Sequence, residues 1–356
     1  MRVAVVAFET THRTDRQGVA RAESLARALA RRGHDVTVFC TEWWYGPDAR
    51  SWRMDDDLRY RRIDIAPALG SSLARLPTLL AGFRPDVVHA TPAPASMLLA
   101  AKVGATLARA PLVCDWYGDE PVDDGRMADA ARRVPSRLLT PSRYVRARLA
   151  AHGVGEERVT VLPEFIDFET VRAIEPDSDA PDVVAGRRLD SAANLESLFL
   201  GLAELREDDW TAAIVGDGPA RAEFEQAAAD LRIDDRVAFL GDIPREERVA
   251  LYRGARTFVH TATREEFPTE LLWALACGCV GVVEYQADSA AHELVEEDPR
   301  GSLVTSPPEI ASEIVAAAEL EAWTVNEDYA PYDHDAIVDQ YVECYERLRD
   351  AHGFRS

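Results

Sequence analysis

The stretch that most constrains this fold is residues 257–283, where two short apolar runs enclose a polar loop and a helix-like segment. Pro268 suits the first turn of that helix, and Gly278 suits its end. The apolar residues between them recur at helical spacing: Leu271, Leu272, Leu275 and Ala276. A strand, a loop and a helix start in succession leave backbone N–H groups above the edge of a parallel sheet. This stretch therefore predicts an anion site, most often for a phosphate.

Apolar runs followed by helix-like segments recur along the chain. Residues 1–8 form a continuous apolar strand, residues 19–33 an amphipathic helix that Gly33 stops, and residues 35–39 a second strand. A chain of 356 residues is about the right length for two domains. Residues 175–182 are polar, carry two prolines and lack apolar periodicity, which predicts a linker. We therefore expect an α/β protein with domains at 1–175 and 182–325.

Composition excludes several classes of protein. No run reaches the roughly 18 apolar residues of a membrane span, and the sequence begins directly with a strand, so we expect a cytoplasmic protein. The five cysteines lack the spacing of metal ligands or of a pair. The 62 acidic residues outnumber the 40 basic ones and give a net charge of −22, which argues against a nucleic-acid partner.

One motif resembles that of a known family. Residues 264–268 read Arg-Glu-Glu-Phe-Pro, and residues 271–278 read Leu-Leu-Trp-Ala-Leu-Ala-Cys-Gly. Together they resemble the signature loop and helix of family 4 glycosyltransferases. Two glutamates usually frame that motif; Glu265 matches the first, and Trp273 stands where the second would be. The resemblance implies the GT-B architecture, with two Rossmann-like doubly wound domains facing a central cleft and a C-terminal helix, within 333–356, packed back on the first domain.

The resemblance also implies a reaction. Members of the family transfer a sugar from a sugar nucleotide, with retention at the anomeric carbon and without a metal. The acceptor is expected to be a glycan or a lipid-linked molecule. Because the sugar nucleotide is a co-substrate, no cofactor is expected. Glu265 would hold a hydroxyl group of the donor sugar, and Arg188 would balance the charge of the departing diphosphate as the second catalytic residue.

Further donor-binding residues follow from the same resemblance. Either Arg187 or Arg188 fits the arginine that clamps the diphosphate, because a guanidinium matches phosphate oxygens in a bidentate way. Ala193 stands where a lysine is usual. The other residues that the resemblance places around the donor are Gly18, Gly216, Gly218, Phe267, Thr269, Glu270, Trp273 and Glu293.

On the acceptor side the resemblance selects His89 and Tyr117, and the position of Asp115 just before Tyr117 adds it as a third candidate. Asp115 also opens an acidic cluster at the end of a predicted strand, together with Asp119, Glu120, Asp123 and Asp124. A second interpretation stays open for these residues. A lone histidine at a strand end is more often structural, and most acidic loops are simply solvated.

Residues 41–62 mix aromatic and basic side chains ahead of a helix-like segment at 71–83. One interpretation is a surface excursion before a core-facing helix. The other is peripheral contact with the inner face of a membrane, which would suit a lipid-linked acceptor. The residues concerned are Trp43, Trp44, Tyr45, Trp52, Arg50, Arg53, Arg59, Arg61 and Arg62.

Trp273 leaves three interpretations open, because an indole cannot bind two ribose hydroxyls as a glutamate does. The nucleotide could be held differently, with Trp273 stacking on it or shaping its pocket. The donor could instead be a lipid-phosphate sugar, or the protein could bind sugars or partners without catalysis. A sugar-nucleotide epimerase shares the GT-B architecture and is a further alternative. It would need acid–base groups that no motif here singles out.

The charge pattern predicts adaptation to high salt. Lys102 is the only lysine, and an acidic surface with so little lysine suits molar salt, where the Debye length falls to about 3 Å and self-repulsion is screened. We expect the melting temperature to rise with KCl concentration, as followed by circular dichroism. A maximum at low salt would contradict this expectation.

Overall fold

Two largely parallel β-sheets carry the fold in the computed structural model, which describes residues 1–44, 51–53, 58–65, 68–121 and 125–353. The chain divides into two compact units. Unit 1 comprises Met1–Pro163 and Asp335–Ser356, and unit 2 comprises Glu164–His334.

The sheet of unit 1 is formed by β1 Arg2–Val6, β2 Asp35–Thr41, β3 Ser51–Arg53, β4 Arg59–Asp64, β5 Val87–Ala90, β6 Leu112–Asp115, β7 Arg137–Thr140 and β8 Val159–Val161. The order is β3-β4-β2-β1-β5-β6-β7-β8, and the pairs are parallel except for β3 with β4. Its helices are α1 Gln17–Arg31, α2 Leu69–Phe83, α3 Ala95–Ala108, α4 Arg126–Arg133 and α5 Arg143–Ala151, with a 3-10 turn at Glu156–Arg158. The predicted core-facing segment at 71–83 lies in α2, where Leu76 and Leu80 are fully buried.

The main sheet of unit 2 is formed by β9 Val183–Gly186, β10 Ala212–Val215, β11 Val237–Gly241, β12 Thr257–His260, β14 Val280–Glu284 and β16 Ser302–Val304. Its order is β11-β10-β9-β12-β14-β16, beside a separate short pair, β13 Arg264–Glu265 with β15 Asp288–Ser289. The helices are α6 Phe168–Ala173, α7 Leu195–Glu204, α8 Arg221–Asp230, α9 Arg245–Gly254, α10 Thr269–Ala276, α11 His292–Val295 and α12 Pro307–Ala318, with a 3-10 segment at Glu327–Tyr332. The chain winds outward from the centre of the sheet in both directions, which is the doubly wound order.

The boundary between the units differs from the prediction. It falls after Pro163 rather than at 175, because residues 164–175 are tied into unit 2. The Ile166 amide donates to the Tyr332 carbonyl at 3.0 Å, and the His334 amide donates to the Ile166 carbonyl at 2.8 Å. The predicted linker, 175–182, therefore lies inside unit 2, which runs on past 325 to His334.

The last helix, α13 His334–Gly353, is joined to the rest of unit 1 by a buried polar cluster. Arg21 Nε donates to Asp115 Oδ2 at 3.0 Å, and the Tyr341 hydroxyl donates to the same oxygen at 3.1 Å. Tyr345 lies with its hydroxyl 2.8 Å from His89 Nδ1. Both side chains of the Arg21–Asp115 pair are almost inaccessible to solvent, at 0% and 1% exposed. Each charge is therefore stable in the interior only while its partner is present.

None of the helices in the described part of the chain combines the length and the apolarity that a bilayer span requires.

Replacing Asp115 with Ala leaves the Arg21 guanidinium buried without its counter-charge, so we expect the free energy of unfolding to fall by about 3–5 kcal/mol. The matched control is Asp35→Ala, which removes an aspartate that pairs with Arg2 while both side chains are nearly half exposed. We expect that control to cost no more than about 1 kcal/mol. Urea unfolding measures both variants, and equal losses would contradict the structural role of Asp115.

Candidate functional site

The carboxyl ends of β9 and β12 meet at the topological switch point of the unit 2 sheet, because the chain winds away from these two neighbouring strands on either side. Open α/β sheets bind ligands at such a point. β9 ends at Gly186, so Arg187 and Arg188 follow there. β12 ends at His260 and leads into the loop that carries Glu265.

Arg187 is held at this edge by oxygen atoms from two segments of the chain. Its Nη1 donates to Glu265 Oε2 at 3.1 Å and to the Arg264 carbonyl at 3.4 Å. Its Nη2 donates to Asp190 Oδ1 at 3.2 Å, and its Nε to the Arg188 carbonyl at 3.0 Å. The structure thus brings two predicted site residues, Arg187 and Glu265, into one ion pair. Arg188, on the same loop, is exposed.

Glu265 is fixed through its backbone and remains partly open to solvent through its side chain. It pairs with Ser289 between β13 and β15, and the Ala290 amide donates to its carbonyl at 2.8 Å. Its side chain is 22% exposed. Burial raises the pKa of Glu265 to about 7, although the neighbouring Arg187 acts in the opposite direction. Once ionised, this carboxylate can accept hydrogen bonds from hydroxyl groups.

Two of the predicted donor-binding glycines shape this loop through close backbone contact. Gly216 has φ +117°, and a Cβ there would lie 2.0 Å from the Arg187 carbonyl oxygen. A Cβ on Gly218 would lie 2.2 Å from the Leu189 carbonyl oxygen. The Arg187 amide also donates to the Val215 carbonyl at 3.0 Å. Residues 216–218 therefore press against the backbone of residues 187–189 and set the direction in which Arg187 leaves the sheet.

Glu270 is engaged by a cluster that the sequence did not single out. Its Oε1 accepts from Arg245 Nη1 at 3.0 Å and from Arg248 Nη1 at 2.8 Å, and its Oε2 accepts from the Tyr252 hydroxyl at 2.8 Å. These three partners are spaced by about one helical turn along α9, so they lie on one face of the helix. That spacing in the sequence could have predicted that they act together.

Trp273 packs beside this cluster. Only 6% of it is exposed, and the Arg245 guanidinium lies 4.7 Å from its ring centroid. It is therefore not an open surface on which a base could stack. The indole instead packs against the Arg245 guanidinium, next to the Glu270 cluster.

The helix expected to receive the anion is α10, which begins at Thr269 rather than at Pro268. The Thr269 amide donates to the Phe267 carbonyl at 3.0 Å, and the Leu272 amide closes the first helical turn on the Pro268 carbonyl at 3.0 Å. Phe267, expected at the donor, is buried at 5% exposure. Glu293 lies in the one-turn helix α11, where its amide donates to the Ala290 carbonyl at 3.0 Å.

His89 and Asp115, predicted to contact the acceptor, are interior residues of unit 1. Their exposed fractions are 0% and 2%, and His89 Nε2 lies 3.6 Å from Asp115 Oδ2. Burial lowers the pKa of His89 and keeps its imidazole neutral. Their partners are Arg21 and the tyrosines of α13, so we assign both residues a structural role. For His89 this is the structural interpretation that the sequence left open, whereas Asp115 lies in a buried ion pair rather than in the solvated loop of the second interpretation.

Gly18 and Tyr117 also meet inside unit 1. A Cβ on Gly18 would lie 2.8 Å from Tyr117 Cβ, so the close packing requires glycine there. The Gly18 amide donates to Asp119 Oδ2 at 3.2 Å, and the amides of Tyr117 and Gly118 donate to the Glu120 carboxylate at 2.7 and 2.8 Å. Burial raises the pKa of Glu120 to about 8. The chain's own carboxylates thus accept from the amides of Gly18, which the resemblance assigned to the donor, and of Tyr117, which it assigned to the acceptor side. Asp123 and Asp124 lie outside the described residues.

The aromatic residues proposed for membrane contact are packed where the structure describes them. Trp43 stacks on His12 with ring centroids 3.5 Å apart, and Trp44 is 5% exposed. Arg62 pairs with Glu42 at 2.7 Å. The side chains of Tyr45, Arg50, Trp52 and Arg53 lie outside the described part.

Two family models match this chain. The glycosyl transferase 4-like domain matches residues 18–164, and the glycosyl transferases group 1 model matches residues 167–327. Together they span most of the sequence, and the second contains both Arg187 and Glu265. The chain belongs to the glycosyltransferases that these models describe, as its signature motif predicted.

Known relatives and solved structures agree with this assignment. The 2-deoxystreptamine glucosyltransferase of Streptomyces kanamyceticus is 24% identical over 51% of this chain and 50% of its own length. The GDP-mannose-dependent alpha-mannosyltransferase of Mycolicibacterium smegmatis is 28% identical over 70% of this chain and 71% of its own. The chain spans about half the length of the first curated relatives that it matches.

Among solved structures, Anabaena HepE in complex with UDP superposes with a TM-score of 0.77 at 19% identity, over 98% of this chain and 100% of that one. This likeness confirms the predicted fold class, α/β with two Rossmann-like domains of the GT-B type.

Replacing Gly216 with Ala should displace Arg187, because the new Cβ meets the Arg187 carbonyl and the backbone is left-handed. We expect a loss of about 2 kcal/mol or more in the free energy of unfolding. Gly82→Ala is the matched control, since a Cβ there meets nothing within 4 Å inside α2. That control should stabilise the protein by up to about 1 kcal/mol. Thermal unfolding compares the two, and equal shifts would refute the close-contact explanation.

Proposed function

We propose that this protein is a glycosyltransferase that moves a sugar from a sugar nucleotide to a glycan or lipid-linked acceptor, with retention at the anomeric carbon. The observation that carries the proposal is the Arg187–Glu265 pair at the switch point of unit 2, where the two side chains meet at 3.1 Å. A guanidinium and a carboxylate side by side match the two ends of a sugar nucleotide. One suits the anionic diphosphate, and the other suits the hydroxyl groups of the sugar.

The free protein holds this pair in a state that a donor can use. Glu265 currently accepts from Arg187 Nη1, and Asp190 accepts from Nη2, so the guanidinium is oriented before any ligand binds. A diphosphate would compete with these carboxylates for the guanidinium. Glu265, held by its backbone on β13, would then accept from a sugar hydroxyl instead. Such preorganisation lowers the cost of orienting charge during the reaction.

Negative charge develops on the diphosphate as the bond from the anomeric carbon to the leaving oxygen breaks. Arg187 lies where it can balance that charge, and the exposed Arg188 follows on the same loop. Catalysis by this arrangement is electrostatic, because these groups stabilise the departing anion more than they stabilise the bound donor. The acceptor hydroxyl takes the sugar, and the nucleoside diphosphate leaves.

The choice of donors to test comes from the relatives. HepE is described in complex with UDP, and the mycobacterial relative is named for GDP-mannose. UDP- and GDP-sugars are therefore the first donors for an assay on the 356-residue chain. Trp273 stands in place of the second glutamate of the motif and packs against Arg245, so the ribose is expected to be held in a different way from the usual one.

Glu265→Gln should lower kcat for sugar transfer by about a hundredfold or more, because the amide keeps the shape but loses the charge that orders Arg187 and the sugar hydroxyl. Release of nucleoside diphosphate in the presence of acceptor measures the rate. Glu223→Gln, the same change at an exposed position on α8, is the control and should retain full activity.

Three outcomes would contradict the proposal. An altered sugar nucleotide without transfer would indicate an epimerase. Donor binding without turnover, across donors and acceptors, would indicate a binding protein. Full activity in Glu265→Gln would remove that residue from the site.

A further inference from the structure

The imidazole of His260 is a buried polar group that the proposed mechanism does not use. Only 4% of His260 is exposed. Its Nε2 has no hydrogen-bond partner within the part of the chain that the structure describes. Leaving a buried hydrogen-bond donor or acceptor unsatisfied destabilises the folded state, so such an atom needs an explanation. A ligand that supplies the missing partner is one.

The sheet register places this imidazole at the switch point. Thr257 pairs with Val183 and Phe258 with Val184 between β12 and β9. β12 ends at His260 and β9 ends at Gly186, the last residue before Arg187, so both strand ends lie at the switch point. The Tyr252 hydroxyl already fills the space beside Gly186, since a Cβ there would lie 2.7 Å from that oxygen.

Strand alternation also fixes the face on which His260 lies. Successive residues of a strand point to opposite faces of the sheet. Val259 belongs to the core packed by α7, α8 and α12, whereas Phe258 packs edge-on against Tyr252 of α9, with ring centroids 5.5 Å apart. His260 therefore shares the face of Phe258, on the side of α9 and α10. This is also the side on which Glu270 approaches Gly186, with Glu270 Cβ 3.6 Å from the position of a Gly186 Cβ.

The charges around His260 determine its protonation state. Burial, together with the positive charge of Arg187, lowers the pKa of His260 to about 3. The titratable groups on the neighbouring elements are Arg187 after β9, Glu265 on β13, Tyr252 on α9, and Glu270 on α10 with its two arginines. At neutral pH the imidazole is uncharged, so it carries one N–H, and a proton on Nε2 makes that atom a hydrogen-bond donor.

We propose that His260 binds the sugar nucleotide. Its Nε2–H donates a hydrogen bond to an oxygen of the diphosphate beside Arg187. This proposal rests on the proposed function for the identity of the ligand. The uncharged N–H of His260 adds one hydrogen bond to those that the Arg187 guanidinium donates. The bound anion satisfies the nitrogen that is left without a partner in the free protein.

Two variants of the 356-residue chain test this inference with inorganic pyrophosphate, UDP and GDP as probes in calorimetry. His260→Leu removes the N–H and should weaken binding of the probes about tenfold or more, which is the effect of losing a hydrogen bond to a charged group. His260→Gln keeps an N–H donor at similar reach and should bind within a few-fold of the unmodified protein.

Thermal stability separates a binding role from a structural one. Because Leu replaces an unsatisfied polar group with an apolar one, His260→Leu should keep or raise the melting temperature while it loses affinity.

The lowered pKa of His260 gives a second test, the pH dependence of stability. The unfolded chain binds a proton at residue 260 that the folded chain does not, so the unmodified protein should lose stability relative to His260→Leu as pH falls from about 6.5. Above that pH the difference should be constant.

Unchanged binding in His260→Leu would overturn the inference. A loss of affinity that comes with a lower melting temperature would also overturn it, since the histidine would then be structural. The inference fails separately from the proposed function. Probe binding that depends on His260, without any sugar transfer, would contradict the proposed function alone. Sugar transfer with normal probe affinity in His260→Leu would contradict this inference alone.

Discussion

The ion pair between Arg187 and Glu265 is the interaction on which the candidate site depends. It joins the segment that follows β9 to the segment that follows β12, and these two strands are the neighbours from which the sheet of unit 2 winds outward. The backbone fixes the position of both residues. Arg187 is directed by the close backbone contact with Gly216, and Glu265 by its pairing with Ser289. The pair is therefore a product of backbone geometry, and a ligand finds both charges already oriented.

Buried charge serves a different purpose in unit 1. Arg21 and Asp115 are almost completely inaccessible and share a hydroxyl from Tyr341, so they fasten α13 to its unit. In unit 2 the corresponding charges remain partly exposed, as 15% and 22% of the Arg187 and Glu265 side chains do. The difference decides their roles. A fully buried ion pair keeps its own partners, whereas a partly exposed ion pair can exchange one partner for a ligand.

Two polar groups of unit 2 became visible only through packing. The cluster of Arg245, Arg248 and Tyr252 around Glu270 depends on α9 lying against α10, which no local pattern predicts. His260 reads as the end of an apolar strand, and it becomes informative only because its Nε2 is enclosed without a partner beside Arg187. The Glu270 cluster lies beside Trp273, which stands in place of the second glutamate of the motif, whereas His260 lies near Arg187.

The sequence by itself determined the alternation of strands and helices, the family, and the placement of Arg187 and Glu265 at strand ends, because each of these follows from local spacing and motif. It could not decide which of the matched polar residues face a ligand. His89 and Asp115 carry the expected identities, yet α13 covers them from the far end of the chain. The boundary at Pro163 likewise depends on hydrogen bonds between Ile166 and residues 332–334. Burial and partnership arise from contacts between distant segments, so only the tertiary structure settled them.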